Sequence, residues 1–458
     1  MATYSSTSHA IERVCEWVAA HPGASRGGVI HGLQLSESAA TVYRWLEAGV
    51  SRGLIDRVGN TSASTYHPSA QMRKRVVQRH LDADMSKRGR VGYNADWLES
   101  YEPNVTTLLP ASTLDLLTRR CPIGTVALDK VNPREISMFT YDLSYASSRL
   151  EGNEYDLAST IALAEHHIEK NGGSPSDKAM ILNHLDATRF MVDALRDPDP
   201  KARARMRPTE FVVRSLHALL SHDLLRPEHC GTLRTAAKRI GYSAYAPLDV
   251  PDTIAAHMET ISRKACAIEN PFEQSFFLSV HLPYLQPFDD CNKRTARVAC
   301  NLPLLAAGVT PISWMEATHR SRDYANALLA VYELNDTLML QELFVDCLLR
   351  SSERFHLLRS QRAPDPVATK YRPEIKQVIR NMVLRGDEAI PASVSAEDVD
   401  AFWAYVTGEI DRLRLNEMLG VRYDISPAAL RGWMEQGERS ADRGVDRGVD
   451  RACAPSGG

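Results

Sequence analysis

The sequence lacks the features that would place it in a bilayer, a disulfide scaffold or a zinc site. No apolar run approaches the ~18 residues needed to span a membrane. The opening stretch, MATYSSTSHAIERVCEW, has no basic-then-apolar order and so does not read as a signal peptide. Eight cysteines (Cys15, Cys121, Cys230, Cys266, Cys291, Cys300, Cys347 and Cys453) lie far apart, with no CxxC and no Cys/His ligand spacing. That pattern favours reduced thiols in a cytoplasmic protein over a disulfide framework or a structural zinc. Charge of one sign is also missing: the net charge is −3 over 458 residues, although a small basic domain can hide in such a total. With 44% hydrophobic and 24% charged residues, the chain reads as soluble and globular, long enough for two or three domains.

What is present begins with a self-contained N-terminal pattern. AIERVCEWVAAH sets Ile11, Val14, Val18 and Ala19 at helical spacing, and GGVIHGLQLS gives a short second helix and a turn. In ESAATVYRWLEAGVSRGLIDRVG, Ser36 is an expected N-cap and Val42, Leu46 and Val50 share a face. LIDRVGNTSASTYHP then reads as two short strands around a Gly-Asn turn. The layout resembles the winged helix-turn-helix superfamily over residues 1–75, which implies a DNA contact or a protein-interaction module. Residues 1–90 carry 12 Lys/Arg against 7 Asp/Glu, yet the expected recognition helix offers only Arg44 as a base reader. Residues 76–94, within QMRKRVVQRHLDADMSKRGRVGYN, read as a basic linker.

Residues 95–360 are helix-rich, with apolar positions three and four apart in PTEFVVRSLHALLSH and NPFEQSFFLSVHLPYL. Inside them, TLRTAAKRIGYSAYAPL (232–248) reads as a β-hairpin around Gly241. The fold class expected is therefore mainly α, with one β-hairpin flap. A C-terminal helical region follows at 363–437. The end, 438–458, repeats Gly-Val-Asp-Arg without an apolar face and is expected to be disordered.

The chemistry concentrates in LQPFDDCNKRTAR (285–297). A helix N-terminus offers unpaired N–H groups and partial positive charge to an anion. Lys293, Arg294 and Arg297 add cations beside it. Asp290 suits a Mg²⁺ that bridges phosphate oxygens, since Mg²⁺ takes one or two carboxylates and leaves the rest to water and phosphate. The other reading of such a stretch is a solvated basic helix start after an acidic turn.

The stretch resembles the Fic (Fido) signature, H-x-F-x-[DE]-[GA]-N-[GK]-R-x-x-R, through Pro287, Phe288, Asp290, Asn292, Lys293, Arg294 and Arg297. SSRLEGN (147–153) resembles that family's inhibitory motif, [ST]-x-x-x-E-[GN], through Ser147, Glu151 and Gly152, on a helix of about 136–152. MILNHLDATRFMV (180–192) is similar to the helix after it, and 232–248 to the family's flap. The resemblance implies transfer of AMP from ATP with Mg²⁺ to a hydroxyl of a target protein docked on the flap. One branch, with Lys at the position of Lys293, transfers phosphate. It further implies that Asp290 holds Mg²⁺, that Asn292, Arg294 and the helix-start amides about Cys291 hold phosphates, and that Arg297 grips the γ-phosphate unless Glu151 occupies it.

Gln286 departs from the family. It stands where the catalytic His removes the proton, and an amide can orient a hydroxyl but cannot act as a base. Asp289 and His281 are alternative proton acceptors to be weighed. His166 and His167 read as surface residues, and Cys291, where Gly is usual, as an inert small side chain or a reactive thiol. A nucleotide-binding pseudo-enzyme and a DNA-binding regulator are the competing functions. A homo-oligomer is left open.

Overall fold

The computed structural model describes residues 2–34, 36–59, 63–126, 133–360, 365–415 and 417–434. The chain is mainly helical and divides into two compact units, 1–358 and 359–458. The expected disordered tail, 438–458, lies outside the described residues.

The first unit opens with helices Ala2–Ala20, Arg26–Gly32 and Ala39–Ser51. Three strands accompany them, β1 (Ala24–Ser25), β2 (Ile55–Val58) and β3 (Thr65–Pro68), antiparallel in the order β1-β3-β2. Ile11, Val14, Val18, Val42 and Leu46 meet Ile55 and Tyr66 in one small core. The cap of the third helix is Ser38, not Ser36: its hydroxyl accepts from the Thr41 amide, because the helix begins at Ala39. Asn60, the second residue of the expected turn between β2 and β3, is outside the described residues.

Of the expected basic linker, 76–82 forms the last part of the helix Ala70–Asp82, whose Met72 and Val77 are buried. Arg73 grips Asp336 with two hydrogen bonds of 2.8 and 2.9 Å, Lys74 meets Glu342 at 2.7 Å, and Arg79 meets Glu16 at 2.7 Å. Arg73, Lys74 and Arg79 thus meet acids on neighbouring elements.

The helical body is built around Pro271–Leu285, where every residue except Gln274 is buried. A helix that is apolar all round belongs at the centre of a domain. Against it pack Ala111–Arg120, Pro251–Ala267, Asn292–Ala299, Asn301–Ala306 and Ser321–Leu334.

The hairpin expected at 232–248 is also corrected. The segment has one short strand, β5 (Tyr245–Ala246), which pairs in parallel with β4 (Val91–Gly92). The rest is held by side chains instead of a ladder. Buried Arg234 donates from Nε to the Gln286 carbonyl (2.7 Å), from Nη1 to Ala236 O (2.7 Å), and from Nη2 to Leu248 O.

The second unit contains helices Arg372–Arg385 and Val399–Leu415. Its separate core is formed by Tyr371, Val378, Ile379, Phe402 and Val406.

Candidate nucleotide site

The central helix ends at Gln286, whose backbone is left-handed (φ 53°), and the next helix starts at Asn292 after a second left-handed residue, Cys291 (φ 59°). Two such non-glycine residues bracketing one loop need support from around them. Asn292 supplies part of it: its Oδ1 accepts from the Phe288 amide (2.9 Å) and its Nδ2 donates to Phe288 O (2.8 Å) and Gln286 Oε1 (3.2 Å). Its amide therefore shapes the loop. His217 supplies another part, with its ring stacked on Phe288 at 3.8 Å. Nδ1 accepts from the Gly231 amide at 2.9 Å, so Nε2 carries the proton and donates to Asp290 O at 3.1 Å. Burial holds His217 down to about 4, hence neutral.

Gln286 is fully engaged. Its Nε2 donates to Pro283 O at 2.7 Å and lies 3.4 Å from the Tyr332 hydroxyl. The first bond has a local cause. Pro283 O would ordinarily accept from the amide four residues on, but position 287 is also proline and has no N–H. The side chain at 286 fills that gap.

At the start of Asn292–Ala299 no side chain caps the helix. Arg294 is 6% exposed, its Nη2 is 3.5 Å from Asp290, and its Nη1 is buried without a hydrogen-bond partner. A buried guanidinium N–H is costly to leave unpaired, so this atom, beside an uncapped helix start, suits an incoming oxyanion.

Arg297 is 1% exposed and held on all sides. Nε donates to Ser147 Oγ (2.9 Å), Nη1 to the Tyr324 hydroxyl (2.9 Å), and Nη2 to Ser147 O (3.0 Å) and Glu151 Oε1 (2.6 Å). Ser147 Oγ is in turn 2.8 Å from His184 Nε2, while Nδ1 of that ring donates to Met180 O at 2.8 Å. Burial brings His184 down to about 3, which keeps Nε2 free to accept from Ser147.

Glu151 lies just past the end of Pro133–Arg149, not within a helix running to 152. Gly152 takes φ 92° in the turn, and the Glu151 amide donates to Ser148 O at 3.0 Å. A carboxylate at a helix C-terminus faces the negative end of the dipole, so cations must hold it there. Two do: Arg297 at 2.6 Å and Lys293, whose Nζ is 2.8 Å from Oε2. Burial pushes this carboxyl up, but the charges of Arg297 and Lys293 outweigh it and bring it down to about 2.

Glu151, Gln286, Asn292, Lys293 and Arg294 face a cavity of about 310 Å³. Ala325, Leu328, Leu329 and Tyr332 give it an apolar wall, Lys238 to Tyr242 of the 232–248 segment form its rim, and Glu151 with Asp290 to Arg294 makes the charged end. An apolar wall opposite a few convergent charged groups is the usual make-up of a small-molecule site. Asp290 presents one carboxylate with a side chain 64% exposed. No group of three or more His, Cys, Asp or Glu able to hold a metal is found among the described residues. The donor set therefore fits a Mg²⁺ carried in by phosphate better than a protein-held ion.

The alternative proton acceptors are placed elsewhere. Asp289 is 2.6 Å from His229 Nδ1. His281 is fully buried among Trp97, Tyr101 and Phe277, with neither ring nitrogen hydrogen-bonded. His166 and His167 are exposed. The Cys291 thiol is buried, 3.9 Å from Leu220 O, and burial pushes it up to about 12, which makes it inert. Sequence reasoning missed Arg234, His217, His184, Lys238 and Tyr324. His184 was within the quoted MILNHLDATRFMV, and Arg234 and Lys238 within the flap.

Residues 208–304 match the model of the Fic/DOC family. Over 169 residues the chain is 24% identical to the protein adenylyltransferase fic-1 of Caenorhabditis briggsae, covering 37% of this chain and 32% of that protein. Over the same length it is 25% identical to the protein adenylyltransferase Fic of Nematostella vectensis, covering 37% and 38%. The matched stretch thus spans only about a third of these relatives. Among solved structures, it is similar to a Fic family protein from Desulfovibrio desulfuricans (18% identity, TM-score 0.46, 66% of this chain and 86% of that one). It is also similar to Fic-1 from C. elegans (15% identity, TM-score 0.44, 79% and 86%). The family match covers Asp290 to Arg294 at the charged end of the cavity, and over residues 208–304 the chain is similar to the Fic/DOC family.

Proposed function

We propose that the chain binds ATP in the 310 Å³ cavity and is a protein adenylyltransferase held inactive by Glu151. One observation carries the reading: Glu151 bridges Arg297 and Lys293 at 2.6 and 2.8 Å, at the mouth of a site whose Arg294 still has an unpartnered N–H. A carboxylate fixed by the two cations best placed for a terminal phosphate is a competitor for that phosphate. Arg–carboxylate contacts are charge-assisted and strong enough to serve as such a lock.

With Glu151 displaced, Arg294, Lys293, Arg297 and the helix-start amides would hold the phosphate chain, and the apolar wall the base. Asp290 would hold the Mg²⁺, which neutralises phosphate charge. A hydroxyl of the target protein, docked along 232–248, attacks the α-phosphorus. A new P–O bond forms, the bond to the β-phosphate oxygen breaks, and pyrophosphate leaves. Gln286 takes no proton, so the hydroxyl proton passes to solvent or a phosphate oxygen. Fixed charge supplies the main stabilisation. Lacking a general base costs roughly 10²–10⁴ in rate, or about 3–5.5 kcal/mol.

Gln286 also favours a second reading, a nucleotide-binding pseudo-enzyme, because its amide is already committed to Pro283 and Asn292. The N-terminal helices and β1–β3 fit a winged helix-turn-helix, with Arg44 exposed, and a DNA or protein contact through residues 1–90 belongs to the same proposal. No helix among the described residues is long and apolar enough to cross a membrane, and we place the protein in the cytoplasm.

The test is incubation with ATP labelled at the α- or γ-position, using wild type, Glu151→Gly, and Glu151→Gly with Gln286→His. α-Label on protein in Glu151→Gly supports the transferase. Label only in the double variant supports the pseudo-enzyme. γ-Label instead of α-label assigns phosphate transfer. No ATP binding by any of the three refutes the site.

A further inference from the structure

A buried acid outside the phosphate site joins three parts of the first unit. Glu333 lies on Ser321–Leu334, the helix that supplies the apolar wall of the cavity, and its side chain has no solvent exposure. Its Oε1 accepts from the Ser243 hydroxyl (2.7 Å) and the Ala244 amide (3.0 Å), both in the flap segment. Its Oε2 is 2.8 Å from His80 Nε2, and Arg88 Nη1 reaches both oxygens at 3.3 and 3.4 Å. His80 belongs to the helix Ala70–Asp82, which packs against the N-terminal helix and β3. Arg88 lies on the chain that leads from it into β4.

These contacts are not redundant with ordinary sheet pairing. β4 and β5 share only the register pairs Val91 with Tyr245 and Gly92 with Ala246, with one further bond from the Val91 amide to Ala244 O at 3.1 Å. Two residue pairs make a weak ladder. Tyr245 is held by its hydroxyl on Tyr284 O (2.6 Å), while Ser243 and Ala244 are tied to the body by the Glu333 carboxylate, which is shared with the N-terminal side. The neighbouring residue, Tyr332, lines the cavity and meets Gln286.

We infer that Glu333 is a positioning residue that orders the flap segment only while the His80–Arg88 side is in place, so that the N-terminal module sets the state of the rim of the nucleotide site. This rests on the reading of 232–248 as the segment that receives a target. The physical basis is satisfaction of a buried charge. With Arg88 and His80 present, the carboxylate is ionised, fixed and able to accept from Ser243 and Ala244. Without them it is a buried anion with too few partners, and its relief is to move toward water, releasing the flap. A partner bound to the N-terminal module that shifted its last helix would do the same.

The experiment measures amide hydrogen exchange on the full chain, comparing wild type with Arg88→Ala, His80→Ala, Ser243→Ala and the His80→Ala/Ser243→Ala pair. Neither N-terminal substitution lies in the flap segment itself. Arg88→Ala is expected to raise exchange at 243–246 about tenfold, with 276–285 of the central helix unchanged. The double variant is expected to fall short of the product of the two single effects, since both act through one carboxylate. Flap amides unaltered in Arg88→Ala and His80→Ala would overturn the inference. So would an equal rise throughout the first unit, which is what a merely structural role produces. Ser243→Ala leaves the Glu333–Arg88 pair intact, so it tests the flap side even if Arg88→Ala fails to fold. Binding of a fluorescent ATP analogue to the same samples and to Glu151→Gly reports on the proposed function separately: its absence from all of them refutes that function, and flap exchange still decides the coupling.

Discussion

Replacing Glu151 by glutamine should make the protein less stable and a better nucleotide binder, by the same amount of free energy. The carboxyl sits at about 2 against an ordinary 4.5. At about 1.4 kcal/mol per pH unit, that gap is worth about 3 kcal/mol of folding stability at neutral pH. The side chain is 16% exposed, so solvent screening removes little of it. Because the folded value lies below the unfolded one, the stabilisation is complete above about 4.5 and fades as pH falls through about 2. Urea denaturation of wild type and Glu151→Gln should therefore show a constant gap from about pH 5 to 8 that narrows below 4.5. The free energy that holds Glu151 on Arg297 and Lys293 is also what a triphosphate must overcome to take its place. Removing the charge should tighten binding of a non-hydrolysable ATP analogue by up to about a hundredfold, read by calorimetry with Mg²⁺ at pH 7. Equal affinity in the two proteins, or a variant as stable as wild type, would show that this carboxylate does not compete for the phosphate site.

Arg297→Met should cost about 3–5 kcal/mol in denaturant midpoint experiments, since it leaves Glu151 with Lys293 alone and strips Ser147 and Tyr324 of their donor. His184, held at about 3 and so neutral when folded, favours unfolding as pH drops below its ordinary 6.5; His184→Gln should flatten the loss of stability between pH 7 and 5 by up to about 1.4 kcal/mol per pH unit. Cys291, pushed up to about 12, should alkylate with iodoacetamide at pH 8 more than tenfold more slowly than the half-buried Cys230, as read by mass spectrometry of the native protein; comparable rates would refute its burial.

The parts of this site that a reader of the sequence could find are those carried by short contiguous stretches. Glu151 was visible because SSRLEGN resembles a family motif, and Gly152 takes a positive φ in the turn after the preceding helix. The cations after Cys291 were visible because they crowd one helix start. Their pairing was not: Lys293 and Arg297 meet a carboxylate far away in the chain, and spacing says nothing about that. Arg234 and His217 were hidden for another reason. Their partners are backbone carbonyls and amides of distant segments, which any residue type could provide. The flap was misread because the small and aromatic residues around Gly241 imitate a hairpin, whereas the backbone there is fastened by Arg234 and Glu333. The ion pairs of Arg73 and Lys74 were not legible because their partners, Asp336 and Glu342, lie more than two hundred residues later.

The prolines at 283 and 287 also bear on what a histidine at 286 would do. The oxygen of residue 283 faces position 287, where no hydrogen is available, and so it asks for a donor from the side chain between them. An imidazole at 286 that answered through Nδ1 would be locked in the tautomer whose Nε2 has an open lone pair. Backbone chemistry outside the missing residue would then already prescribe which nitrogen of a newly arrived histidine receives the proton.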